Sequence, residues 1–186
     1  MIKTYVIDTN VLIQAPYAIE CFEENNLVLP LVVLEELDGL KKAEGEKGAN
    51  ARAAVRKLES YRQKGDLLQG VKLPGGGILR IEKNFVQVEL PQDIPDDKPD
   101  NRILKVCKGL AETEKEGQVI LVTKDIVLRL KAQILGIRAE DFERERISED
   151  DAQYTGRTEI YFPEEKVKEF KKKGIPLTDA YQSDEE

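Results

Sequence analysis

Four acidic residues stand where an α/β protein collects its chemistry. Asp8 closes the apolar run TYVI, and Asp125 closes VILVTK. Asp100 opens DNRILKV, and Glu36 lies in LVVLEELDGL, just after the short apolar segment NLVLP. In an open parallel sheet, ligands bind outside the carboxyl ends of the strands. Asp8 and Asp125 fall at two such ends, Asp100 begins a helix, and Glu36 lies about one turn into a helix that follows a strand directly. Four carboxylates converging from four segments would repel one another and drive at least one pKa upward. A divalent cation relieves that repulsion, and hard oxygen ligands are what Mg²⁺ or Mn²⁺ takes. Singly, each residue has a simpler reading: Asp8, Asp100 and Asp125 are placed as helix N-caps, and Glu36 as a solvated helix residue, as Glu35 is. The pocket rests on their joint placement.

Composition limits the competing chemistries. The chain has 186 residues and no histidine, so a Cys/His zinc site and an imidazole general base are both excluded. Cys21 and Cys107 lack CxxC spacing and read as reduced, partly buried thiols, consistent with a cytoplasmic setting. A hydrophobic content of 40% suffices for a packed core. The net charge of −7 means that any nucleic-acid binding must come from local basic patches or bound cations. The N-terminus has no signal-peptide apolar core and no stretch approaches transmembrane length, so no membrane partner is expected.

The acids need elements to carry them. TYVID is a short continuous apolar run of the kind that forms a buried parallel strand. PYAIECFEEN spaces Pro16, Ile19 and Phe22 as a short amphipathic helix, and NLVLP is a second strand closed by Pro30. LVVLEELDGLKK is a helix with Val33, Leu37 and Leu40 on one face, and Pro30 suits its first turn. AEGEKGAN reads as a flexible loop. ARAAVRKLESYRQKG is a helix with Ala51, Ala54, Val55, Leu58 and Tyr61 inward and Gly65 as its stop. LPGGG is a turn, ILRIEKNFVQVEL alternates as a β-hairpin, and PQDIPDDKP is a loop. DNRILKVCKGLAETEKEG is a helix capped by Asp100 and stopped near Gly117. QVILVTKD is another buried strand, IVLRLKAQILG a helix and IRAEDF a short strand. This alternation predicts an α/β fold: a central parallel β-sheet flanked by helices, with a β-hairpin insertion around residues 66–99. Beyond Arg146 the chain turns polar, with YTGRTEIYF as a lone strand, PEEKVKEFKKKG as a charged helix and AYQSDEE as a frayed end. The expected division is a domain over 1–147 and an extension or linker over 148–186.

In order, VIDTNVLI, LVVLEELDGLK, DNRIL and LVTKDIVLRLKA resemble the PIN-domain nucleases, over about Tyr5 to Phe142. EELDGLK, TKDIVLRLKA and GIRAEDFE look most like the PIN domain that precedes a P-loop ATPase in PhoH-like proteins. No GxxxxGK[ST] occurs in this chain, so the ATPase half is absent from it. The resemblance implies a metal-dependent endoribonuclease of single-stranded RNA, leaving a 5′-phosphate and a 3′-hydroxyl. One or two Mg²⁺ or Mn²⁺ ions, ~3.5–4 Å apart if two, would activate water and stabilise the leaving oxygen. It also implies the roles. Asp8, Glu36, Asp100 and Asp125 become catalytic metal ligands, Asn10 and Thr123 support the metal's water shell, and Asp141 is an auxiliary acid. Arg52, Arg56 and Arg62, or Arg129 and Lys131, would grip the substrate, although each alone reads as an ordinary solvated helix residue. The Asp66–Pro99 stretch is long for a minimal member of the family and is expected to cover part of the pocket.

Other readings remain. One is a low-activity RNA-binding or assembly module attached to a PhoH-like ATPase domain in a longer chain, with homo-oligomerisation left open. A haloacid-dehalogenase-like phosphatase wants a second carboxylate where this chain has Asn10. A receiver domain wants an acidic pair near the start, where Asp8 stands alone.

Overall fold

Val6 and Ile7 have no exposed surface because the strand that carries them, β1 (Thr4–Ile7), runs through the middle of a six-stranded sheet. The computed structural model describes residues 2–95, 97–113 and 118–142. The other strands are β2 (Asn26–Pro30), β3 (Val71–Lys72), β4 (Ile78–Glu82), β5 (Val119–Val122) and β6 (Arg138–Glu140). Their order across the sheet is β3-β4-β2-β1-β5-β6, parallel throughout except for the β3–β4 pair. In register, Val6 lies beside Val28 on one flank and Leu121 on the other. All three are buried, which is why TYVI, NLVLP and VILV read as unbroken apolar runs instead of alternating ones.

The helices are α1 (Thr9–Gln14), α2 (Leu31–Leu40), α3 (Gly45–Arg62), α4 (Pro99–Thr113) and α5 (Ile126–Ile134). α3 packs across α1 and α2, while α4 lies against β5 and touches α2 and α5. From β1 the chain passes through α1 to β2 on one side. From β5 it passes through α5 to β6 on the other. The strand order therefore reverses between β1 and β5, and the crevice beyond their carboxyl ends is where such sheets bind ligands. Asp8 follows the last residue of β1 directly, and Thr123 to Asp125 follow β5.

Several expectations needed correction. AEGEKGAN is not a loop over its length, since α3 begins at Gly45. Gly48 sits so close to the preceding turn that a Cβ there would fall 1.8 Å from the Ala43 carbonyl oxygen, so this glycine is a packing requirement. Val55 faces outward, and α3 ends at Arg62, ahead of Gly65. PYAIE forms a 3₁₀ turn, Pro16–Glu20. The hairpin is built around the LPGGG turn, between β3 and β4, and β4 also joins the main sheet beside β2. FVQVEL forms no strand. Phe85 takes a positive φ of 45°, and its ring lies over Gly109 of α4, where a Cβ would meet it at 2.2 Å. Lys108 reaches from α4 to the Glu89 carbonyl at 2.8 Å, so this stretch packs on α4. The expected stop near Gly117 and everything proposed for 148–186 lie outside the described residues.

Candidate active site

Asp8 is only 5% exposed, and its side chain makes no capping bond to α1, the helix it precedes. Burial pushes its carboxyl up to about 6, against a partial offset from the Thr123 hydroxyl and the Thr9 amide; the charges of Asp100 and Glu36 raise it further. Thr123, fully buried, donates to Asp8 Oδ2 at 2.6 Å. The same hydroxyl oxygen accepts from Asn10 Nδ2 at 3.2 Å and from the Asp125 amide at 3.0 Å. One donor and two acceptor positions are thereby all used. Asn10 completes the link by accepting from the Lys124 amide at 3.1 Å. The ends of β1 and β5 are thus joined by side chains as well as by the Asp8 amide's 3.0 Å bond to the Val122 carbonyl.

Glu36 reaches this crevice from α2, where the Thr9 hydroxyl donates to its Oε2. Asp100 lies in the first turn of α4 behind Pro99, not at the cap position expected from the sequence. A carboxylate there is favoured by the positive end of the helix dipole. That both acids raise the Asp8 pKa puts Asp8, Glu36 and Asp100 in one electrostatic neighbourhood drawn from three segments. α4 also brings the fully buried Cys107 close enough to feel Asp8; burial, with that charge, pushes its thiol well above the usual range. Glu35 turns away towards Arg102 at 3.9 Å.

Asp125 stands past the end of β5, and one of its oxygens caps α5. Its Oδ1 accepts from the Val127 and Leu128 amides at 2.7 and 3.3 Å, an N-cap for α5. Asp141 pairs with Arg129 at 3.0 Å and Lys124 at 3.3 Å. Burial works to raise its pKa, but the two cations outweigh it and hold the carboxyl below the usual range. Arg129 is therefore occupied, and Lys131 donates to Asn101 Oδ1 at 3.0 Å. Arg52 donates to the Lys41 carbonyl at 2.8 Å, and Arg62 pairs with Glu59 at 2.7 Å. Arg56 is exposed and makes no ion pair among the described residues. Thr9 went unremarked in the sequence, although DTN puts a hydroxyl on the residue right after Asp8.

Among the described residues, no three Asp, Glu, Cys or His side chains close on a common point as a metal cage would. Mg²⁺ does not require one, since it binds through one or two carboxylates and keeps several waters. The donor set fits such a hydrated ion: all its groups are hard oxygens, and the charged groups acting on Asp8 are both acids.

A family model described as PIN domain matches residues 5–143. The chain is 45% identical over 175 residues to Protein PhoH2 of Bacillus subtilis (strain 168), covering 91% of this chain and 40% of that protein. It is 38% identical over 160 residues to Protein PhoH2 of Thermobispora bispora, covering 85% of this chain and 35% of that one. Among solved structures, a domain of a functionally unknown protein from Methanocaldococcus jannaschii aligns at 19% identity with a TM-score of 0.49, over 87% of this chain and 98% of that one. The chain spans well under half the length of the two PhoH2 relatives.

Proposed function

The chain belongs to the PIN-domain family, whose members are generally metal-dependent nucleases, and from that premise we propose that it is an endoribonuclease cleaving single-stranded RNA in the crevice around Asp8. The observation that carries this reading is the buried Asp8 carboxyl, raised to about 6 by burial and further by the charges of Asp100 and Glu36. Such an arrangement is unfavourable alone and is relieved by a cation.

Asp8, Glu36, Asp100 and Asp125 would hold Mg²⁺ or Mn²⁺, Asp125 through the carboxylate oxygen not engaged in its cap. When bound, the ion supplies a more acidic water and charge neutralisation at the leaving oxygen. The protein's own groups do the rest. Thr123 and Asn10 keep Asp8 at the mouth of the crevice, and Thr9 keeps Glu36 there. Without histidine, proton transfer falls to carboxylates and water. A recessed acidic crevice, with Asp8 only 5% exposed, suits a single strand, whose phosphates would enter only alongside cations. Arg56, exposed on α3, is a residue of the proposed grip that makes no ion pair among the described residues.

The test is cleavage of an unstructured RNA with Mg²⁺ or Mn²⁺, compared with the Asp8→Asn/Asp125→Asn double variant. Wild type should exceed the variant by at least about 100-fold and leave 5′-phosphate ends, a loss typical of removing charge-stabilising groups. Equal rates would sink the enzyme reading. That outcome would favour a module for RNA binding or assembly beside a PhoH-like ATPase domain. The commitment of Asp125 to its cap and the partial coverage of the PhoH2 proteins lend that second reading its support.

A further inference from the structure

Several acids outside the crevice are held by cations. Glu20 faces Lys57 at 2.7 Å, Glu59 faces Arg62 at 2.7 Å, Glu140 faces Arg138 at 3.0 Å, and Asp141 faces Arg129 and Lys124. Inside the crevice the pattern changes. Asp8 and Glu36 are held by the hydroxyls of Thr123 and Thr9. A hydroxyl fixes a carboxylate's direction while leaving its charge intact, whereas Lys or Arg would cancel that charge and compete with any incoming cation.

Thr9 has the more unusual position of the two. It is the first residue of α1, it is only 5% exposed, and it stands between two acids from different elements. Its amide acts on Asp8, and its hydroxyl donates to Glu36 Oε2. A single residue thus ties the end of β1 to the middle of α2. We infer that Thr9 is a positioning residue of the crevice: its hydroxyl sets Glu36 against Asp8 so that the two carboxylates present a prearranged oxygen pair to a divalent cation. This rests on the crevice being a metal site. A merely structural Thr9 would satisfy its buried hydroxyl with Glu36 as a convenient acceptor and leave metal affinity untouched.

The two roles separate in Mn²⁺ binding to the metal-free protein, measured by calorimetry without RNA. Thr9→Val, which keeps the shape and loses the hydroxyl, should weaken Mn²⁺ about 10-fold, the usual effect of removing a partner that orients a metal ligand. Thr9→Ser should bind as wild type does. In a Glu36→Gln background, Thr9→Val should cost nothing further, because the carboxylate it orients has gone. Wild-type affinity in Thr9→Val, beside a weakened Glu36→Gln, would overturn the role of Thr9 and leave the metal site standing. An equal loss from Thr9→Val in both backgrounds would also overturn it, by showing an effect through the fold. Unchanged affinity in Glu36→Gln itself would overturn both the positioning role and the reading of Glu36 as a metal ligand. Circular dichroism melts accompany each variant, and Thr9→Ala takes the place of Thr9→Val if the latter does not fold.

Discussion

The junctions β1–α1 and β5–α5 look alike in sequence: an apolar strand, an aspartate, then a helix. Their parallel strands are neighbours, yet their aspartates do opposite things. Asp125 turns one carboxylate oxygen onto the Val127 and Leu128 amides and caps α5. Asp8 makes no such cap, is buried, and is held sideways by Thr123. Asp125 gives one oxygen to helix stability, whereas Asp8 is buried where its ionised form is disfavoured. A cap is worth ~1 kcal/mol wherever it is made. Forgoing it at Asp8 while also burying the charge makes sense only when another interaction repays both.

The largest test of this contrast is Asp8→Asn in EDTA. Because the folded-state pKa, about 6, lies above the ordinary value of 3.8, the folded protein holds this proton more tightly than the unfolded chain does. The stability associated with that proton is fully present below pH 3.8 and is lost as pH rises through about 6. The buried charge then costs at most about 3 kcal/mol. Asp8→Asn should therefore raise the melting temperature at pH 7.5, with the gain vanishing towards pH 3.8. No gain at pH 7.5 would mean that Asp8 is as well compensated as Asp125. Next in size is Thr123→Val, which strips Asp8 of its donor and leaves Asn10 and the Asp125 amide without their acceptor. Urea unfolding should show a loss of about 2 kcal/mol, the order expected for orphaned buried polar groups. A neutral outcome would separate the two junctions that the structure joins. Smallest is Asp125→Ala, expected to cost about 1 kcal/mol, with Asp125→Asn retaining most of the cap. Equal stability of the two variants would show that the charge of Asp125, not its cap, is what matters.

How legible these features were in the sequence depended on the range of the interaction. β1, β2 and β5 stand out as unbroken apolar runs because strands buried on both faces have no polar side to show. α2 and α5 show their buried faces through spacing. The start of α3 was hidden, because glycine ordinarily argues against helix and only the approach of the Ala43 carbonyl explains Gly48. FVQVEL alternates like a strand, but Phe85 found its place over Gly109, far away in the chain, and the backbone followed. Arg129 and Lys131 looked like a basic helix face ready for phosphates. The structure gives each an internal partner, Asp141 and Asn101.

At the site, the sequence by itself determined the chemical types. Acids closing two apolar runs, another acid ahead of a helix, no histidine anywhere, and polar residues beside Asp8 and Asp125 are local facts that strand and helix periodicity can place at one edge of a sheet. It could not determine what each acid touches. Whether an aspartate caps its own helix or is taken by a hydroxyl across the sheet depends on which groups the crossover brings within 3 Å or so. Tertiary structure decided that Thr123 takes Asp8, because parallel pairing of β1 with β5 sets residues more than a hundred positions apart side by side, and that Thr9 takes Glu36, because α1 packs against α2.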